Sequence, residues 1–277
     1  MDRLFDFSDY DLLIPLVQNS LIAGALLGLM GGLIGIFVLI RDSSFAVHGI
    51  SELSFAGAAI ALLMGANVVF GAAVGSIVAA LIIALLGARA SSRNSMIAVL
   101  MPFGLGIGIL ALALYEGRAA NKFGLLTGQI IAVDDPQVIT LGIIAVVVSS
   151  GLLFMWRPLR FASVDSEVAE ARAVPTRWLG IAFMLLLALA VAATVQIVGA
   201  LLVMTLLVTP AASALRLTNS PIWAPVISVG FAVVSVLGGI LLALGGGLPI
   251  SPYVTTISFL IYLLARLIEK LRSGVPA

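Results

Sequence analysis

The chain has 277 residues, 62% of them hydrophobic and 10% charged, with a mean hydropathy of +1.24. A soluble globular protein carries about 25% charged residues, so most of this surface must face lipid, which excludes a soluble enzyme, a disordered chain and a one-anchor receptor. The absence of cysteine removes disulfides, thiolate metal sites and iron–sulfur clusters, and a net charge of +1 gives no reason to expect nucleic acid.

The predicted elements are all helical. Met1 to Asp11 carries Asp2, Asp6, Asp9 and Asp11 against Arg3 alone, the wrong sign for a basic leader. The first apolar run, Leu12 to Ile40, is too long for a cleaved signal and is expected to span. Charges then cluster at 41–42, 89–93, 116–122, 134–135, 157–177, 216 and 266–272. Between them, spans are expected near 15–40, 45–65, 68–88, 95–115, 136–156, 178–195, 197–213, 222–244 and 253–270. The run 178–213 is interrupted only by Gln196 and Gly199, so the count is eight or nine. Lys122–Asp135 is apolar yet too short to cross and predicts a re-entrant or interfacial helix. The 157–177 loop predicts one short amphipathic helix. The whole is read as an all-α polytopic membrane protein with one transmembrane domain: a tail over 1–14, a bundle over 15–270 and a tail over 271–277.

Orientation follows the basic loops. Arg89, Arg93, Arg157, Arg160, Arg172, Arg177, Arg216 and the Arg266, Lys270, Arg272 tail fall on one side, read as cytoplasmic. The N-terminus and Asp134–Asp135 then lie outside; Arg118 and Lys122, also outside, run against this scheme. Glycines recur at four-residue spacing (Gly24, Gly28 and Gly32; Gly31 and Gly35; Gly71 and Gly75; Gly104 and Gly108). That spacing puts each set on one helix face, where backbones can approach closely.

The chain has one histidine, which removes a HExxH protease, a bis-histidine haem and most catalytic triads, and it has no GxxxxGK[ST] phosphate loop. Within FAVHGISELSFAGAA, His48 and Glu52 stand four residues apart, about 40° around a helix, and so point the same way. Ser44 and Ser51 extend them into one polar stripe. An ionisable group inside a span costs about 2.5–3.5 kcal/mol on insertion scales and faces the bundle interior. Imidazole plus carboxylate is a donor pair for a divalent first-row cation. A His–Glu hydrogen bond holding helices in register and a proton relay are the two other readings of the same pair.

The stretch Val198–Pro221, VGALLVMTLLVTPAASALRLTNSP, runs an apolar helix into Thr209–Pro210 and then a small, alanine-rich turn with Arg216. Proline at 210 sets a kink or a new helix start. The expected product is a short cytoplasmic helix offered to something outside the membrane.

With these pieces in view, the chain resembles the membrane permease subunit of bacterial ATP-binding-cassette importers for zinc, manganese or iron ions. The likeness covers roughly Asn19 to Leu267, through GISELSFAG, FGLLTGQIIAVDD, RPLRFASVDSEVAEARAVP and, above all, VGALLVMTLLVTPAASALRL. It implies a second permease copy, identical or similar, with the ion path on the dimer axis. It implies an ATP-binding subunit docked through Thr209, Pro210, Ala211, Ala212, Ala214 and Arg216, so that substitution at Pro210 or Ala211 would uncouple transport from ATP hydrolysis. An extracytoplasmic metal-binding lipoprotein would deliver the ion, ATP would sit on the partner chain, and no cofactor would be permanently bound. Many relatives carry Asp-x-x-x-His with Ser before the His; here His48 takes the Asp position and Glu52 the His position, with Ser51 kept. The implied site is therefore His48 and Glu52, with Ser51 and Ser44 beside them, in a bacterial cell membrane. Manganese is favoured slightly over zinc because it takes oxygen ligands well.

Two other transport classes are weighed. A permease for a chelated metal or vitamin needs a wide path rather than an ionisable pair. An ion-coupled secondary transporter predicts an inverted internal repeat, and 1–140 and 141–277 show no self-similarity.

Overall fold

A computed structural model describes residues 14–86, 90–117, 133–245 and 250–273, and every regular element among them is helical. A 3-10 turn at Ile14–Val17 leads into α1 (Gln18–Ile40), followed by α2 (Ser44–Leu63), α3 (Val68–Leu86), α4 (Ala90–Leu114), α5 (Asp135–Val164), α6 (Ser166–Ala171) and α7 (Thr176–Val198). A second 3-10 turn (Ala200–Leu202) precedes α8 (Val203–Leu207), α9 (Thr209–Leu217), α10 (Trp223–Leu244) and α11 (Ile250–Ser273). Seven of these, α1 to α5, α7 and α10, are long and apolar enough to cross a membrane. The 24-residue α11 matches them in length, but its last turns carry Arg266, Glu269, Lys270 and Arg272.

Two departures from the expected pattern have local causes. The segment 197–213 is not one rod. Gly199, at φ 86, ends α7, and Pro210 in the first turn of α9 starts a fresh helix, leaving only α8 between. In turn, α5 runs on through Arg157 and Pro158 to Val164, and the short helix expected in the 157–177 loop is α6. Its first turn is capped by Asp165, whose carboxylate accepts from the Val168 N–H at 3.0 Å. The interfacial helix expected over Lys122–Asp135 lies outside the described residues except for its last three, as do the N-terminal aspartates.

The chain divides into two compact units. In the first, made by α1, the start of α5 and everything from α8 onward, Gly24, Gly28 and Gly32 turn one face of α1 onto α10. A Cβ at Gly28 would stand 2.9 Å from Val233 and one at Gly32 2.6 Å from the Val229 backbone, and the Ser228 hydroxyl donates to the Gly32 carbonyl at 2.8 Å. Gly31 and Gly35 face Leu206, Leu207 and Ala211 instead. Asn19 ties the start of α1 to the Asp135 carboxylate at 2.7 Å and the Val133 carbonyl at 3.2 Å.

The second unit is organised around α2, against which α3, α4 and α7 pack. Gly57 of α2 meets the Gly71 carbonyl, and Gly75 meets that of Leu53, so small residues on both helices bring backbone to backbone. Gly104 and Gly108 of α4 instead make room for the Leu53 side chain and the Phe55 ring of α2. As a result 72% of the α2 span is buried, against 28% for α3 and α4; the outer faces of those two helices present Phe70, Val99 and Phe103 outward.

Candidate metal site and coupling helix

The central helix α2 carries the only described histidine and its acidic neighbour. His48 Nε2 stands 3.8 Å from Glu52 Oε1, and the side chains are 35% and 10% exposed. That separation is beyond hydrogen-bond range, so the pair does not satisfy itself. His48 Nδ1 and Glu52 Oε2 are both buried with no hydrogen-bond partner. Buried polar groups are nearly always paired, so two orphans on one turn of one helix mark His48 and Glu52 as candidate ligand donors. Among the described residues no three His, Cys, Asp or Glu side chains converge on a metal-sized site. Among the described residues of one copy, His48 and Glu52 are thus two candidate ligands, fewer than a tetrahedral or octahedral ion takes.

The rest of the polar stripe divides by role. Ser51 is fully buried and its hydroxyl donates to the Ala200 carbonyl at 3.2 Å, in the irregular turn after Gly199. It anchors the helix break against α2, one residue from Glu52. Ser44 opens α2 and is half-buried. On the other side, Gly104 lets α4 close on the Glu52 backbone, where a Cβ would lie 3.2 Å from the carbonyl oxygen. A polar group not flagged in the sequence is Asn94, whose Oδ1 is buried without a partner one turn before Ile97, the residue facing Gly49. Its signal is faint, an amide at the foot of an apolar helix beside a run of charges.

The second expected element is α9. Proline in its first turn needs no hydrogen-bond donor there, and the helix runs nine residues to Leu217. Of the six residues expected to meet a partner, Pro210, Ala211 and Ala214 are buried within the chain; Ala211 and Ala214 pack with Ile36 and Ala224. Thr209, Ala212 and Arg216 keep some exposure. Arg216 already has partners: Nη1 donates to Glu269 Oε2 at 2.6 Å and Nη2 to the Tyr262 hydroxyl at 2.8 Å, with the guanidinium 5.0 Å over the Tyr262 ring. The hydrogen bond to Glu269 above all holds the Arg216 guanidinium above its ordinary pKa.

Residues 13–269 match the family model described as the ABC 3 transport family. The chain belongs to that family. As a member it is a multi-pass membrane protein and a transport component rather than an enzyme. It is 31% identical to the manganese transport system membrane protein MntC of Halalkalibacterium halodurans, over 87% of this chain and 82% of that one. It is 25% identical to the high-affinity zinc uptake system membrane protein ZnuB of Haemophilus influenzae, over 84% and 88%. Its fold matches a chain of PsaBC from Streptococcus pneumoniae, solved in complex with Fab, with a TM-score of 0.84 at 23% identity, covering 94% of this chain and 95% of that one.

Proposed function

We propose that this member of the ABC 3 transport family is the membrane permease of an ATP-driven importer that moves a divalent transition-metal ion, Mn²⁺ or Zn²⁺, into the cytoplasm. The observation that carries it is the His48–Glu52 pair on the most enclosed described span, with His48 Nδ1 and Glu52 Oε2 buried and unpartnered. The names of the manganese and zinc relatives point the same way. A second copy would double the pair to two imidazoles and two carboxylates, enough to replace part of an ion's water shell while binding weakly enough to release it. The 3-10 turn just past the C-terminal end of α7 meets α2 at Ser51, beside this pair, through the Ala200 carbonyl.

ATP is bound and hydrolysed on a separate subunit that docks on α9, and an extracytoplasmic metal-binding lipoprotein delivers the ion. The basic loops put their side and the C-terminus in the bacterial cytoplasm and leave the N-terminus outside. The test is the permease reconstituted with its ATP-binding subunit and binding protein and supplied with Mn²⁺, Zn²⁺ or Fe²⁺ in turn. Metal-stimulated ATP hydrolysis and uptake are expected, both lost in His48→Ala and in Glu52→Ala. Undiminished uptake in either variant would reject the site.

A further inference from the structure

At the end of the second unit that bears the 157–177 loop, the last turn of α3, the first turns of α7 and the turn after α1 enclose a recess of about 530 Å³. That volume suits a small ligand. Its lining is mixed: Arg41, Thr176, Arg177 and Glu170 are polar or charged, and Ile83, Leu85, Ile181 and Met184 are apolar.

We propose that this recess binds the headgroup phosphate of an anionic phospholipid. Three observations converge on that chemistry. The first is charge: two guanidiniums face one carboxylate, and Glu170 Oε1 is engaged by the Thr176 hydroxyl at 2.6 Å. The lining is left with one net positive charge, matched to a phosphodiester monoanion. A guanidinium fork is the side chain best shaped to grip phosphate oxygens.

The second is preorganisation. Arg41 is held by donation from Nη1 to the Ser163 hydroxyl at 3.1 Å and by its position 5.5 Å over the Phe183 ring. A ligand arriving there meets an arginine already ordered, so little side-chain entropy is lost on binding.

The third is level. Arg41 directly follows the span ending at Ile40, Leu85 closes the span Val68–Leu85, and Thr176 opens the span Thr176–Val198. The recess therefore lies where apolar helix gives way to charged loop, the depth of lipid headgroups. Trp178, 71% exposed in the first turn of α7, is an indole at that same level. A free anion needs no apolar lining; a phospholipid has glycerol and acyl methylenes to lay against side chains such as Ile181 and Met184. Basic recesses between membrane helices are a known form of headgroup site.

The full-length permease, purified in detergent, would be examined by native mass spectrometry with phosphatidylglycerol, phosphatidylcholine of the same acyl chains, or inorganic phosphate. One phosphatidylglycerol should stay bound at collision energies that strip phosphatidylcholine. Arg177→Gln, at an exposed position, should weaken that retention about tenfold, the loss of one charge-assisted contact, and Arg41→Gln/Arg177→Gln should abolish it. Should the double variant fail to fold, Gly180→Leu tests the space with both arginines present. A Cβ at 180 meets only Arg41 Nη2, at 3.5 Å, so the added side chain fills the recess without crushing backbone and should expel the lipid. Equal retention of the two lipids, retention indifferent to Arg177→Gln and Gly180→Leu, or inorganic phosphate held as tightly as the lipid would each overturn the proposal.

Discussion

Arg216 and Glu269, 53 residues apart, form an ion pair at 2.6 Å that latches the nine-residue helix α9 to the last turns of α11. Tyr262 accepts from the other guanidinium nitrogen, and Arg272 reaches back to the Leu217 carbonyl at 3.3 Å. The pair is about one-third exposed on the Arg side and more on the Glu side, where ion pairs stabilise by only about 0.2–1 kcal/mol. Its role is better sought in positioning. Glu269→Gln should leave the permease folded, within about 1 kcal/mol of the parent. It should lower the amount of metal moved per ATP hydrolysed in reconstituted vesicles, by a margin that narrows at high salt, where the parent's own ion pair is screened. An unchanged transport-to-hydrolysis ratio would remove the latch from the coupling route.

The faces of α9 predict a contrast between neighbours. Ala211 is fully buried beside Gly35, so Ala211→Leu should cost about 1–3 kcal/mol by overpacking and reduce the yield of folded permease. Ala212 keeps some exposure, and Ala212→Glu should fold normally yet fail to co-purify with the ATP-binding subunit. Co-purification at parental yield would place the docking contact elsewhere.

Glu52 holds a buried oxygen with no hydrogen-bond partner, which is costly. Glu52→Gln should therefore retain or raise the melting temperature, by an amount corresponding to about 1–3 kcal/mol at most, while metal uptake disappears. Thermal melts beside uptake assays separate the cases: a variant that loses stability and transport together would mark the pair as structural.

Gly75 and Gly106 give a packing test in the second unit. A Cβ at 75 would strike the Leu53 carbonyl, whereas one at 106 meets nothing within 4 Å. Gly75→Ala should destabilise by about 1–3 kcal/mol. Gly106→Ala should be neutral or stabilise by up to about 1 kcal/mol, the helix cost of glycine. Denaturation in detergent measures both.

Much of this architecture was legible in the residues because charge and apolarity act over whole turns. The charge clusters bracket the observed spans to within a few residues at most ends, and the four-residue glycine sets each face one neighbouring structure. The break at Gln196 and Gly199 in the run 178–213 is legible, and Gly199, at φ 86, ends α7 there. Hydropathy is blind to backbone conformation, so 197–213 still reads as one apolar span although a 3-10 turn over Ala200–Leu202 precedes α8. The buried face of α9 was hidden for a different reason. Alanine carries no preference between core and surface, and only Gly35 opposite Ala211 shows which alanines turn inward. The run of α5 past Arg157 and Pro158 escaped notice because charge and proline both ordinarily mark an end. At the site, the turn of helix uniting His48 and Glu52 followed from spacing alone. The engagement of Ser51 by Ala200, 149 residues away, did not.

The irregular turn after Gly199 has one more consequence. Peptide groups released from helical bonding at membrane depth must meet protein or water, never lipid; here the Gly199 amide donates to the Val195 carbonyl, the Leu202 amide to that of Gly199, and the Ser51 hydroxyl to that of Ala200. The amides of Ala200 and Leu201 should therefore exchange with deuterium whenever water stands beside α2 and slow when it leaves. Followed through a cycle of ATP hydrolysis, that exchange would time the wetting and drying of the interior without any label attached to the ion.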